Sequence, residues 1–303
     1  MPGPLVFRVV GAAVVALALL AVGLVLAWAW PLGGGGGSRE AAPPVSWPYP
    51  DAPGPVEVRL AVAGDVGTGG RAEYATAAAM DALEQGQELD ALLLLGDNIY
   101  PAGQPELAQA RVLDPFAAVL DGPTELVAAL GNHDVRTGDG EPELKALGLP
   151  GRWYQRRFGP VRVVVVDSTR AGDPEQLAWL DSVLAEDDVP WTVVIQHHPP
   201  YSAGYHGSDR ASQEHLVPRY RRLGVELVLA GHDHDYQRSQ VVDGVTYIVS
   251  GGAAKLRPTG TADFTAMATS ILHFVEIAGD ATRLDVRAID QQGRVFDQFT
   301  LGT

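Results

Sequence analysis

From residue 56 onward the chain alternates short, unbroken apolar runs with longer segments in which small and apolar residues recur at helical spacing. The apolar runs Val56–Ala63, Leu89–Leu95, Glu125–Leu130, Val161–Asp167, Trp191–Gln196 and Val225–Ala230 predict strands, because they are too short for buried helices and too continuous to expose one face. Between them Arg71–Gln85, Glu106–Leu120, Pro174–Glu186 and Ser212–Leu223 predict helices, the third with proline at its first position. Trp153–Phe158 leads into Val161 across Gly159-Pro160 in the manner of a β-hairpin. Later the pattern changes: Val245–Val249, Ser270–Ile277, Thr282–Ile289 and Arg294–Thr300 read as strands joined by short turns. Crossover units first and an antiparallel portion last predict a layered α/β sandwich.

The first 55 residues follow another pattern. After a short segment, residues 1–8, the run from Val9 to Trp30 carries no charge and no amphipathic face. At helical rise it spans about 33 Å, enough for a bilayer core of about 30 Å. Arg8 precedes it, and Trp28 and Trp30 stand at its far end as interfacial anchors. We read residues 9–30 as a transmembrane anchor with the rest of the chain outside the cytoplasm. A signal peptide that is cleaved to release a secreted protein is the alternative. Residues 31–55 are rich in glycine and then proline, a linker that cannot build a core. The folded domain is expected to occupy residues 56–303.

The chain has 303 residues, a net charge of −15 and no cysteine. The missing cysteines exclude disulfides, thiolate metal sites and thiol nucleophiles. The acidic balance disfavours nucleic-acid binding but leaves small anionic substrates open, because bound metal ions reverse the local sign.

The candidate chemistry sits where the strands stop. Gly64-Asp65-Val66-Gly67, Gly96-Asp97-Asn98-Ile99-Tyr100, Gly131-Asn132-His133-Asp134, Val194-Ile195-Gln196-His197 and Gly231-His232-Asp233-His234 each follow a predicted strand. One Gly-Asp after a strand is ordinary turn chemistry. Five such blocks in sequence place carboxylates, imidazoles and an amide at the carboxyl ends of strands, where open α/β sheets bind ligands. These donors suit Fe, Zn, Mn or Mg.

The five blocks resemble those of the calcineurin-like metallophosphoesterases, and Tyr100 makes them most similar to the purple, tartrate-resistant acid phosphatase subgroup. The loop from His197 to Gly207 is also similar to that subgroup's. The resemblance implies a four-layer α/β/β/α metallophosphoesterase sandwich and two metal ions, Fe(III) plus a divalent Fe, Zn or Mn. It assigns Asp65, Tyr100 and His234 to the ferric ion, Asn132, His197 and His232 to the divalent ion, and Asp97 to a bridge. The activity it implies is hydrolysis of a small phosphate monoester by in-line attack of a metal-bound hydroxide. His133 and His206 would then contact the phosphate or the leaving group, and Asp134 would orient His133. His198 competes with His197 as a ligand, and the spacing to proline favours His197. His215, His273 and Asp167 read as structural, and Tyr201, Tyr205 and Arg210 as possible pocket rim. A phosphodiesterase or nucleotidase of the same fold is the alternative, and a non-catalytic metal-binding surface protein a second. Oligomeric state is not legible.

Overall fold

A computed structural model describes Met1 and residues 56–83, 88–186 and 189–302. The predicted anchor and most of the linker lie outside the described residues. Among the described residues no helix is long and apolar enough to cross a membrane.

Two sheets face each other. The first has six strands: β1 (Val58–Ala63), β2 (Ala91–Leu94) and β3 (Glu125–Ala128) run parallel, and β11 (His273–Gly279), β12 (Arg283–Asp290) and β13 (Val295–Gly302) continue it antiparallel beside β1. The second has seven, in the order β10 (Thr265–Thr269), β8 (Tyr236–Ser239), β9 (Thr246–Ser250), β7 (Leu227–Ala230), β6 (Trp191–Ile195), β5 (Val161–Val165) and β4 (Tyr154–Phe158).

Strand alternation sorts the apolar residues into three cores. Leu60, Val62, Leu93, Val193, Ile195, Leu227 and Leu229 meet between the sheets. Their neighbours Ala61, Ala63, Leu92 and Leu94 point the other way, onto Ala77 and Met80 of α1 (Arg71–Leu83). On the far side Val164, Val194 and Val228 pack against Leu180 and Val183 of α3 (Pro174–Leu184) and Tyr220. The continuous apolar runs are thus strands covered on both faces, and the layers are α/β/β/α. Asp173 caps α3 by accepting from Glu175 N and Gln176 N, with Pro174 just inside.

Two predicted helices are not continuous. Glu106–Leu120 forms a 3-10 turn over Pro105–Leu107, a wide π turn over Gln109–Leu113, and turns beyond. Pro115 has no N–H, and its ring would clash with the carbonyl four residues back, while Asp114 N reaches Gln109 O at 2.8 Å. Ser212–Leu223 is split into α4 (Arg210–His215) and α5 (Val217–Arg222) for the same reason, with Pro218 at the break. Short α2 (Glu141–Ala146), β8 and the edge strand β10 are additions to the predicted elements.

Candidate metal centre

The carboxyl ends of β1, β2 and β3 in one sheet and of β6 and β7 in the other bring the five blocks together. After three of these strands, β1, β2 and β7, the backbone turns into the left-handed region, at Asp65 (φ 58°), Asp97 (φ 53°) and His232 (φ 71°). These are conformations that L-residues adopt rarely, and such strain concentrates at functional sites. The preceding glycines are there for space. A Cβ on Gly96 would lie 2.8 Å from both Gly131 N and His197 Nδ1, and one on Gly231 would lie 2.6 Å from Asp65 Oδ2. The loops are also tied directly to one another: His232 N donates to Asp65 Oδ2 at 2.8 Å, and His133 N donates to Asp97 Oδ1 at 2.9 Å.

The side chains form two donor clusters. In one, Tyr100 Oη lies 3.0 Å from Asp65 Oδ1, 3.0 Å from Asp97 Oδ2 and 3.4 Å from His234 Nε2, and His234 Nε2 lies 3.3 Å from Asp65 Oδ1. In the other, His197 Nε2 lies 3.1 Å from Asn132 Oδ1, 3.1 Å from His232 Nδ1 and 3.5 Å from Asp97 Oδ1. Asp97 therefore gives one oxygen to each. His197 Nδ1 is 3.0 Å from the Leu95 carbonyl; donating there fixes the tautomer and leaves the Nε2 lone pair facing the cluster.

Electrostatics show what this donor set is suited to hold. Burial opposes ionisation of Asp65, but the hydrogen bond from His234 and the charges of His197, His234 and His232 outweigh it and hold the carboxyl near about 2. Burial pushes the Tyr100 hydroxyl well up, and Asp65 and Asp97 push it further, so only a strong Lewis acid would make it a phenolate. Burial and the neighbouring histidines push His232 down to about 2, keeping its nitrogen lone pair free. Burial also lowers His197, but Asp97 and Asp65 overcome it and raise the imidazole. The same field that draws a proton to His197 draws a cation. Lone pairs from two carboxylates, three imidazoles and an amide, closely packed and mostly buried, fit a pair of metal ions sharing Asp97.

The remaining predicted residues fall into distinct places. His133 Nδ1 lies 2.7 Å from the Pro101 carbonyl, which turns Nε2 toward Asp97 Oδ2 at 3.9 Å. His206 is exposed at the rim, with its ring centroid 4.2 Å from that of His232. Its backbone N–H donates to Asp233 Oδ1 at 2.7 Å, so the buried Asp233 anchors the loop. Asp134 does not orient His133: it is fully buried and accepts from Gly131 N at 2.8 Å, Asn98 N at 3.1 Å and Ile99 N at 3.1 Å. Unpaired backbone N–H groups are costly, so a buried carboxylate clamps the two loops that carry Asp97, Tyr100 and Asn132. His198 Nδ1 pairs with Ser168 Oγ at 3.0 Å, although the ring also lies within metal-binding reach of His197 and His232. His197 belongs as well to a group with Asp65 and Asp97.

Asp167 is buried against Arg152, His273 is buried against Ser250, and Tyr201 meets Tyr247 edge-on. Lys255 and Arg257 were not predicted. Lys255 Nζ lies 3.1 Å from the Tyr100 ring centroid, and the Arg257 guanidinium stacks on Tyr205 at 4.5 Å. They sit in a loop with no periodic pattern, and no signal in the sequence marks them.

Residues 58–236 match the family model for calcineurin-like phosphoesterases. Over 211 residues the chain is 29% identical to purple acid phosphatase 3 of Arabidopsis thaliana, covering 58% of this chain and 57% of the relative. Over 205 residues it is 28% identical to tartrate-resistant acid phosphatase type 5 of Oryctolagus cuniculus, covering 55% of this chain and 62% of the relative. The alignments thus span less than two thirds of these relatives. The fold is similar to that of purple acid phosphatase PPD1 from yellow lupin (Lupinus luteus) seeds, with a TM-score of 0.69 at 18% identity over 81% of this chain and 53% of the other.

Proposed function

The chain belongs to the calcineurin-like phosphoesterase family, and from that premise we propose that it is a dinuclear-metal phosphatase hydrolysing phosphate monoesters. One observation carries the proposal: Asp97 presents Oδ2 to the tyrosine cluster and Oδ1 to the His197 cluster, the disposition a bridging ligand requires. In this reading Asp65, Tyr100 and His234 hold a ferric ion, because carboxylate and phenolate oxygens are hard and anionic. Asn132, His197 and His232 hold a divalent Fe, Zn or Mn, to which imidazoles and a neutral amide are suited. When bound, the pair supplies Lewis acidity toward the phosphate and lowers the pKa of water, so that no protein nucleophile is needed.

The chain's own residues do the rest. His133, its ring fixed through Nδ1 on Pro101, offers Nε2 to a phosphate oxygen. Burial lowers the His206 imidazole, Asp233 pulls it back up, and Arg257 and His234 lower it further. The dianionic substrate would favour its protonated form, which can give a proton to the leaving oxygen. Asp134 holds the loops on which these groups stand. Similarity to purple acid phosphatases supports monoesters as substrates. The charge-free stretch from Val9 to Trp30 supports placing this domain outside a membrane, tethered at its N-terminus; solubility of the full chain without detergent would count against the tether.

The test is metal analysis of the purified full chain, a visible spectrum, and turnover of 4-nitrophenyl phosphate and bis(4-nitrophenyl) phosphate. We expect two ions per chain, a visible phenolate-to-iron band that Tyr100→Phe abolishes, and faster monoester turnover. Failure to retain metal removes the reading. Metal without the band removes the ferric assignment, and faster diester turnover makes the protein a phosphodiesterase.

A further inference from the structure

β9 ends at Ser250, and the chain then crosses, buried, beside the metal centre through Gly251-Gly252-Ala253-Ala254 before reaching Lys255 and Arg257. This crossing is pinned: Arg257 N donates to the carbonyl of His234 at 2.9 Å. It is also close-packed, since a Cβ on Gly251 would lie 2.5 Å from Asp65 Oδ2. Both cations are therefore held beside the ligands on a backbone with little freedom to move away.

Their side chains are held as well, but not by carboxylates. Lys255 Nζ stands over the Tyr100 ring at 3.1 Å from its centroid. Arg257 lies 4.5 Å over the ring of Tyr205, which is 70% exposed and meets the His206 ring edge-on at 5.0 Å. A guanidinium stacked by its face keeps its in-plane N–H groups free, and that edge matches a phosphate or carboxylate bidentately. Among the described residues neither cation has an ion-pair partner, although the chain carries 37 acidic and 22 basic residues. The carboxylates facing Lys255 across Tyr100, Asp65 and Asp97, belong to the donor clusters. Lys255 and Arg257 oppose each other's charge, and Asp65 and Asp97, which offset Lys255, are the carboxylates that bound metal ions would draw on, so an anion bound beside both cations would be favoured.

We propose that Lys255 and Arg257 form a second anion subsite beside the metal centre, selecting phosphorylated substrates whose leaving group is itself anionic, with a diphosphate linkage as the simplest case. The inference rests on the phosphatase reading above and adds a substrate class to it. With inorganic pyrophosphate, the oxygen of water bonds to the phosphorus held at the metal centre. The bridging P–O bond breaks with its electron pair leaving on the departing phosphate. Water's proton ends on that phosphate, and two orthophosphates result. Lys255 and Arg257 hold the departing phosphate before and during bond cleavage and act as specificity-determining groups.

The experiment uses the metal-loaded full chain and two substrates, pyrophosphate and 4-nitrophenyl phosphate, whose leaving group carries no second anionic centre. In Arg257→Gln, KM for pyrophosphate should rise about tenfold more than KM for 4-nitrophenyl phosphate, the size of one lost charge-assisted hydrogen bond. Lys255→Met keeps an apolar stem over Tyr100 and should shift the ratio in the same direction. Calorimetric titration of methylenediphosphonate, a pyrophosphate analogue whose P–C–P bridge is not hydrolysed, into the same proteins reads the subsite without turnover, and affinity should fall by a similar factor in both variants. An unchanged KM ratio with unchanged affinity for the analogue overturns the subsite while leaving the phosphatase intact. A wild type that binds the analogue through Arg257 yet hydrolyses neither substrate overturns the phosphatase reading and keeps the subsite. Absence of binding of the analogue by the wild type overturns the subsite outright.

Discussion

Glu143, on α2, is fully buried beneath the metal-binding loops, where its Oε1 accepts from Asn98 Nδ2 at 3.1 Å. Burial pushes its carboxyl up from 4.5 to about 10, and the charge of Asp134 adds to the effect. Asp134 is itself pushed up to about 6 by burial and by Asp97, while the backbone N–H groups of Gly131, Ile99 and Asn98 oppose the rise. At pH 7 the folded protein therefore holds Glu143 protonated beside an ionised Asp134, whereas the unfolded chain ionises it freely. A carboxyl raised on folding adds no penalty below its unfolded value of 4.5; above it, stability is lost as pH rises toward the folded value. At pH 7 the loss depends on the distance from 4.5 alone, about 2.5 units or 3 kcal/mol, provided the folded value stays above neutrality. Glutamine keeps the shape, accepts from Asn98 and donates an N–H toward Asp134, with no proton to lose. Glu143→Gln should accordingly stabilise the protein by about 3 kcal/mol at pH 7, with the gain growing by about 1.4 kcal/mol per pH unit and vanishing near pH 4.5. Urea unfolding of both proteins at pH 5, 7 and 8 with matched metal content measures this. A difference that does not vary with pH, or a glutamine variant less stable at pH 8, would refute a protonated Glu143.

Other expectations concern the centre itself. Asp97→Ala removes an oxygen from each donor cluster, so metal analysis should show both ions lost together; retention of a full pair would remove the bridging role. His206→Ala should lower monoester turnover about a hundredfold with metal content unchanged, because the imidazole stacks on His232 and completes no donor cluster; unchanged turnover would make His206 a bystander. Gly231→Ala drives a methyl to 2.6 Å from Asp65 Oδ2 and should destabilise the protein by about 1–3 kcal/mol with weakened metal retention, read by thermal unfolding and metal analysis.

The strand ends were readable because they depend on short-range rules: a buried apolar run ends at a glycine, and the next residues face the cleft. That order singled out the blocks that hold Asp65, Asp97, Asn132, His197 and His232, and the family resemblance gave each its expected role. The breaks at Pro115 and Pro218 were readable by the same means, since proline withholds an N–H wherever it sits, but helical periodicity masked them. Asp134 looked like a partner for His133 because the two are adjacent in sequence. Burial decided otherwise, turning its carboxylate onto backbone N–H groups of its own loop and of the loop after β2.

The sequence by itself determined the alternation of strands and helices, the glycines that let strand ends approach, and the kinds of donor atom placed there. Only the tertiary structure decided which donors meet, because His197 is aimed by a carbonyl at Leu95 in the opposite sheet and His234 by a carboxylate 169 residues away in the chain. It also decided that Lys255 and Arg257 stand beside the centre. Their loop has no period to read, and their positions come from packing against Tyr205, on another loop of the same sheet, and Tyr100, on a loop of the opposite sheet.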